Sequence, residues 1–451
     1  MTTMTTMITI SKPNEFGGLF GTVATTIALP LLTYFLATIV SQPTIPPFPS
    51  LSLSSYYFPG GLQTLLPQCI VICTGWFLFL LILERIIPCN IAQGTTIMST
   101  STGIKGKAKG FRLSYNINAN KSFLLTIFII ISLESSQLIE LHKLADLFVP
   151  LSIAATILSF LLSIYLYISS FTKQQHSNRL GKRSLATSKV LAKGGNSTYP
   201  TYDFFMGREL NPRWFNNTFD LKCFCELRPG LIGWVVLNLA MAAKQLHVYH
   251  SISPEMLLIN VFQFIYVWDA LVMEKAILTT MDITTDGFGF MLAFGDLAWV
   301  PFTYTLQAAY LVHNSPKHSG KMLVAISALM CLGYCIFRGA NGQKDAFRSD
   351  PSQPCVSHLK FLPTKRGTKL LISGWWGLAR KINYTGDWVM ALSWSLTCGF
   401  DSLVPYFYPI YFAILLIHRS IRDDEMCAEK YGDDWTAYKE KVRARFIPFV
   451  L

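Results

Sequence analysis

The chain has 451 residues, 51% of them hydrophobic and only 14% charged, and a formal net charge of +12. A soluble domain carries about a quarter charged residues, so this composition excludes an ordinary soluble enzyme and points to a polytopic membrane protein. The surplus of Lys and Arg falls in alternate loops, which marks membrane topology and not a nucleic-acid partner.

Apolar runs of membrane-spanning length recur at 17–40, 66–88, 122–142, 147–172, 230–250, 255–277, 288–312 and 320–338. A hairpin follows at about 383–400 and 403–418. The expected fold is an all-α polytopic membrane protein of about ten transmembrane helices. The first run is too long for the apolar part of a cleavable signal peptide, and Lys12 is the one cation before Pro13. Residues 41–59 are rich in Pro and Ser and read as a lumenal loop, while 173–200 read as a flexible cytosolic linker. Residues 201–230, dense in aromatics and paired charges, read as an ordered cap.

The loop after the second run carries Lys105, Lys107, Lys109, Arg112 and Lys121. The loops after the fourth and eighth runs are basic too, whereas residues 41–65 and 251–254 hold no Lys or Arg. Basic loops stay cytosolic, so both termini are expected in the cytosol. Sequons at Asn196, Asn216 and Asn383 then lie on the cytosolic side and stay unmodified. The ten cysteines form no Cys-x-x-Cys pair, and the pairs Cys69/Cys73 and Cys331/Cys335 sit inside apolar runs, so neither a metal site nor a disulfide framework is expected.

Three constellations carry polar chemistry into this apolar chain. On the sixth run, Tyr266 and Asp269 lie three apart, on one helix face, with Trp268 and Glu274 close in sequence and Asp282 and Asp286 beyond. An intramembrane carboxyl needs a partner. A phenol hydrogen-bonded to one can deliver a proton in an apolar pocket, and the alternative is a pair that closes a helix end. The seventh run carries Asp296, Trp299, Pro301, Tyr304, Gln307 and Tyr310; Pro301 is expected to kink it, Trp299 and Tyr304 with Phe302 either line a cavity for a rigid apolar ligand or pack helix to helix, and Tyr304 is a second candidate donor. The third constellation runs from Arg338 to Tyr438 and is the densest. Lys344 and Arg348 sit four apart in a basic loop, followed by Trp375, Trp376, Asn383, Tyr384 and Asp387. Lys and Arg bind phosphate, and aromatic faces stack on flat rings, so this block reads as a cytosolic-facing cofactor pocket near the C-terminus. No Gly-x-Gly-x-x-Gly or Walker sequence is present, so any nucleotide is held by helix ends and loops.

The segments GRELNPR, ELRPGLIGW, LTTMDITTDGFGFMLAFGDLAWVPF, RGANGQKDAFR, SGWWGLARKINYTGDW and HRSIRDDEMCAEKYGDDWTAY follow one another in the order seen in sterol reductases. The chain resembles that family strongly over 200–451, closest to the fungal Δ14-sterol reductases, and weakly over the first 200 residues. The resemblance divides it into 1–200, the first four helices and a basic loop, and 201–451, the catalytic core with helices 5–10 and a cytosolic tail. It implies NADPH-dependent reduction of the C14–C15 double bond of a sterol on the way to ergosterol, in the endoplasmic reticulum membrane. Proton adds at C15 and hydride at C14. A sister reductase acting on C24(28) or C7, and a non-catalytic sterol-binding protein, are the alternatives. The tail also resembles isoprenylcysteine carboxyl methyltransferases, which lack the segments of the sixth and seventh runs. By similarity, Lys344, Arg348, Trp376, Asn383, Tyr384, Asp387, Arg419, Asp423, Tyr431 and Tyr438 are expected to bind NADPH. Tyr266 is expected to donate the proton with Asp269 or Glu274 tuning it, and Tyr304 stands second. The chain departs from the family at Arg380-Lys381, where Arg-His is usual.

Overall fold

The computed structural model describes residues 15–42, 61–98, 110–172 and 189–448. Most of the 41–59 and 173–200 segments, and the 99–109 loop with its lysines, lie outside the described residues. The chain divides into two compact units, Met1–Ser251 with Gln263–His313, and Ile252–Phe262 with Asn314–Leu451.

The first unit holds α1 (Gly18–Val40), α2 (Leu62–Ile86), a hairpin of β1 (Asn90–Met98) and β2 (Gly110–Ile117), α3 (Ala119–Ser135), α4 (Leu141–Asp146) and α5 (Phe148–Phe171). The hairpin is antiparallel, pairing Asn90 with Ile117 and Met98 with Gly110 around a bulge between Gln93 and Thr96. α1 and α5 tolerate hydroxyls in apolar surroundings because those hydroxyls bond back to their own helix. Thr22, Thr25, Thr33 and Thr38 do so in α1, and Ser159 and Ser163 in α5.

Next come α6 (Pro200–Met206), the short pair β3 (Arg213–Trp214) and β4 (Phe219–Asp220), α7 (Leu221–Leu227) and α8 (Pro229–Tyr249). Arg213 and Asp220 form an ion pair of 3.2 Å across β3 and β4, and the Trp214 and Phe219 rings stack. Residues 201–230 are thus ordered. Pro229 occupies the first turn of α8, where its missing N–H costs no hydrogen bond.

α9 (Pro254–Val272) contributes its residues from Gln263 onward to this unit. Beyond it lie a 3-10 turn (Glu274–Thr279), α10 (Met281–Thr284), α11 (Phe290–Phe294), a π-helical turn (Gly295–Trp299), α12 (Val300–Thr303) and α13 (Leu306–His313). The seventh apolar run is therefore a broken helix. The loop before it is held tightly. Buried Lys222 donates to the carbonyls of Asp282 and of Asp286, the latter at 2.8 Å. Gly207, at φ +83°, runs so close to the backbone of Gly287–Gly289 that a Cβ there would lie 2.3 Å from the Gly289 nitrogen. These contacts give TTDGFGF a structural reason to carry its glycines.

The second unit holds α9 up to Phe262, α14 (Gly320–Ser349), the pair β5 (Phe361–Pro363) and β6 (Lys369–Leu371), α15 (Trp375–Leu378), α16 (Ile382–Leu396), α17 (Phe407–Tyr431) and α18 (Asp433–Lys441). α14 and α16 approach each other through Gly333 and Gly386.

Seven helices among the described residues are long and apolar enough to cross a membrane. Two differences from the sequence reading matter for the site. The fold is mostly helical but not all-α, since three antiparallel pairs accompany the helices among the described residues. α14 also runs to Ser349, eleven residues past the expected end at 338, so Lys344 and Arg348 sit on its final turns and not in a loop. The polar residues from Arg338 onward looked like an exit from the helix. They are helical because their side chains meet partners within the same unit.

Candidate functional site

In the first unit the polar side chains of α8, α9 and the broken helix form one buried network. Gln263 is wholly buried. Its Oε1 accepts from Trp234 Nε1 at 2.9 Å and from Asn238 Nδ2 at 2.6 Å. Its Nε2 donates to the Tyr304 carbonyl at 3.2 Å and to Gln307 Oε1 at 3.4 Å. The buried Trp234 ring packs at 6.0 Å from the Tyr266 ring and edge-on at 5.1 Å from the Tyr304 ring. The two phenols proposed from sequence thus share one indole, and both keep some accessible surface.

Asp269 is half-buried, three residues beyond Tyr266 on α9. Glu274 is fixed elsewhere. One of its oxygens pairs with Arg228 at 3.1 Å, and the other accepts from the Ala119 backbone N–H at 2.9 Å. Arg228 donates in turn to Asn118 at 2.7 Å. Glu274 therefore joins the starts of α3 and α8, the helix-end role that the sequence left open.

A separate cavity of about 330 Å³ lies in the same unit, lined by Phe77, Leu158, Gly233, Leu237, Pro301 and Phe302 among other residues. Gly233, Val236 and Leu237 of α8 line it, whereas Trp234 and Asn238 turn to Gln263. Trp299 and Tyr304 are not among its walls, so of the aromatics proposed for an apolar cavity it takes Phe302.

In the second unit the Arg338–Tyr438 block closes on itself. Trp376 is buried on α15 and donates from Nε1 to the Ala340 carbonyl at 2.8 Å. Lys344 Nζ sits over its ring, 4.1 Å from the centroid. Gln343 accepts from the Trp375 backbone at 2.9 Å. Asn383 donates to Asn341 at 3.2 Å, and its buried Oδ1 has no hydrogen-bond partner among the described residues. Lys381, at the start of α16, forms an ion pair with Asp423 and lies 5.6 Å from the Tyr384 ring centroid. Asp387 is buried on α16, and Arg419 is half-buried on α17. Arg348 is exposed at the end of α14.

The tail completes the block. Tyr431, Trp435 and Tyr438 stack in series, at 6.3 and 5.0 Å. Asp424 accepts from Trp435 Nε1 at 3.1 Å and meets Arg445 at 3.6 Å. Arg380 donates to the carbonyls of Val442 and Arg443 at 2.5 and 2.7 Å, and Lys381 N–H donates to the Arg445 carbonyl at 2.8 Å. Burial pushes the Tyr438 phenol up to about 12, so it remains a hydrogen-bond donor. Burial pulls the Lys381 ammonium down to about 8.

This chemistry fits an anionic, ring-bearing cofactor. Arg348 and Lys381 both repel Lys344, and a phosphate group beside Lys344 would relieve that repulsion. Tyr384 keeps accessible aromatic surface, Trp376 and Tyr438 are buried beside it in the block, and Asn383 Oδ1 is a buried acceptor with no donor among the described residues.

Trp234, Asn238 and Gln263 were not anticipated from the sequence. Their signal is polar side chains four apart on one apolar helix, Trp234 and Asn238, facing an amide on another. The 442–446 segment was also missed as part of the block, because backbone acceptors leave no mark in a sequence.

Residues 11–451 match the model of the ergosterol biosynthesis ERG4/ERG24 family. A fission yeast relative named Delta(14)-sterol reductase erg24 is 48% identical over 83% of this chain and 83% of its own length. A mouse relative named Delta(14)-sterol reductase TM7SF2 is 42% identical over 99% of this chain and all of its own. A chicken relative named Delta(14)-sterol reductase LBR is 45% identical over 96% of this chain, which spans 63% of that longer protein. The motifs in order, the aromatic and cationic block they build and the match along nearly the whole sequence agree: the chain belongs to the ergosterol biosynthesis ERG4/ERG24 family.

Proposed function

We propose that this protein is a Δ14-sterol reductase that uses NADPH to saturate the C14–C15 double bond of a sterol intermediate in ergosterol biosynthesis. The observation that carries the reading is the match, along nearly all of the chain, to relatives named for that reaction. The protein works in the endoplasmic reticulum membrane with both termini in the cytosol. α3, the broken run from Phe290 to His313 and α16 add to the seven long helices to make about ten crossings. Residues 201–451 form the catalytic core.

The C14–C15 double bond of a Δ8,14-diene is electron-rich and carries no electron-withdrawing group, so the proton must add before the hydride. Tyr266 holds that proton on its phenol and passes it to C15. Tyr304, on the other side of Trp234, is the second donor in rank. Asp269 lies on the Tyr266 face of α9 and tunes the phenol. The tertiary cation that forms at C14 is eased by aromatic faces and by exclusion of water. When bound, NADPH supplies the hydride. Lys344 and Arg348 hold its phosphates, with Lys381 and Arg419 beside them. Trp376, Tyr384, Tyr431 and Tyr438 contact its rings, and Asn383, Asp387 and Asp423 fix its amide and hydroxyls.

The test supplies a Δ8,14-diene sterol to membranes containing the protein, with NADPH or NADH, and identifies the product by mass spectrometry. A gain of two hydrogens at C14–C15 with NADPH supports the reading. A gain at C24(28) or C7 when sterols carrying those double bonds are supplied, with none at C14–C15, transfers the protein to a sister reaction, and sterol binding without turnover ends the catalytic reading.

A further inference from the structure

We infer that Gln263 is a positioning residue that sets the tyrosine donors for proton transfer. The inference rests on the reading of Tyr266 and Tyr304 given above and names what holds them.

A carboxamide has two acceptor lone pairs and two N–H donors. Gln263 uses all four. Oε1 takes the indole N–H of Trp234 and the amide N–H of Asn238, and Nε2 gives to the Tyr304 carbonyl and to Gln307 Oε1. Trp234 Nε1 can only donate, so the orientation of the Gln263 amide is not free. Gln263, Trp234, Asn238 and Gln307 are all fully or almost fully buried.

Burying a primary amide among apolar helices is unfavourable unless every bond is made. An aliphatic side chain would fill the same space at less cost. What the amide adds is a rigid link between three elements. One arm fixes the Trp234 indole, against which both phenols pack. The other arm fixes the backbone of Tyr304, which falls at the break between α12 and α13, where the helix does not hold its own course. Gln263 itself lies three residues before Tyr266 on α9, so the amide and that phenol ride on one turn. With no spare hydrogen-bonding capacity, Gln263 is not a proton carrier. It restrains where the carriers stand.

The two arms are separable. Gln263→Glu keeps an acceptor for Trp234 and Asn238 and, held protonated by burial, has one O–H in place of the two amide N–H donors to Tyr304 and Gln307, so it weakens the Tyr304 arm alone. Trp234→Phe keeps an aromatic ring, smaller than the indole, and removes the indole N–H, so it releases the other arm. Gln263→Leu removes both.

The experiment measures sterol reduction in membranes or detergent for these variants, with the sterol and cofactor KM values, kcat and the solvent deuterium isotope effect on kcat. We expect Gln263→Glu to lower kcat about tenfold or more with both KM values within about twofold of the parent. The isotope effect should rise, because protonation becomes slower than hydride transfer. Trp234→Phe should show the same signature at smaller amplitude, and Gln263→Leu at larger. A merely structural role would reduce the amount of active protein and leave the isotope effect where it was. That result, or a parental kcat in Gln263→Glu, overturns the inference. If Gln263→Glu does not accumulate, Trp234→Phe decides in the same way. Tyr266→Phe and Tyr304→Phe separate the two levels. If both retain the parental kcat, the donor reading falls and this inference with it. If either loses kcat while the Gln263 and Trp234 variants do not, this inference alone falls.

Discussion

Lys344 rests on the Trp376 ring, a seat that orients its amino group. Removing it with Lys344→Ala should raise the KM for NADPH by about tenfold to a hundredfold, since a charge-assisted hydrogen bond contributes about 1.5–3 kcal/mol. The KM for sterol should stay put, and initial rates against each substrate check both. Lys381 titrates close to neutral pH. Burial favours its neutral amine and brings its pKa down to about 8, against the pull of nearby acidic groups. The sign follows: below pH 8 the folded protein carries the cation that attracts phosphate, and above it the cation is lost. The KM for NADPH should therefore rise as pH passes through about 8, by at most about tenfold per pH unit. Lys381→Arg stays charged throughout and should flatten that rise. A flat parental profile between pH 7 and 9 would show that Lys381 does not meet the cofactor.

At the scale of elements, the residues proposed to hold the cofactor depend on how closely α14 and α16 approach. A Cβ on Gly386 would lie 2.6 Å from the Phe337 nitrogen and 2.7 Å from the Gly333 carbonyl oxygen, both backbone atoms that cannot give way. Gly386→Ala should destabilise the protein by about 1–3 kcal/mol and lower its melting temperature in detergent. It should also weaken NADPH binding, because Asn383, Tyr384 and Asp387 ride on α16. The segment 442–446 is a strap along the start of α16, tied by Arg380, Lys381 and the Thr385 hydroxyl, which donates to the Phe446 carbonyl at 2.8 Å. Truncation after Lys441 should raise the Kd for NADPH at least about tenfold and leave sterol binding intact. Titration of each ligand checks this, and an unchanged NADPH Kd would show that the strap is dispensable.

Across the whole molecule, composition and the spacing of apolar runs made the helices legible. Each of the seven long helices falls on a run read from the sequence. Their ends were less legible, because polar residues continue a helix wherever a neighbouring element answers them, as for Asn341, Gln343 and Lys344 on α14. The Arg338–Tyr438 block stood out because cations, carboxylates and indoles are costly near apolar helices. Glu274 looked equally costly but is spent on Arg228. Gln263 escaped notice because a single amide in an apolar run gives no motif, and its meaning comes from α8 and the broken helix packed around it.

The central claim is an ionic reduction with the proton from a protein acid and the hydride from NADPH. The most direct measurement locates deuterium in the product by mass spectrometry and NMR, after turnover of a Δ8,14-diene sterol with NADPH deuterated on the transferred position, and separately with ordinary NADPH in D₂O. The account predicts cofactor deuterium at C14 and solvent deuterium at C15. Cofactor deuterium at C15, or saturation at any other double bond, would contradict it.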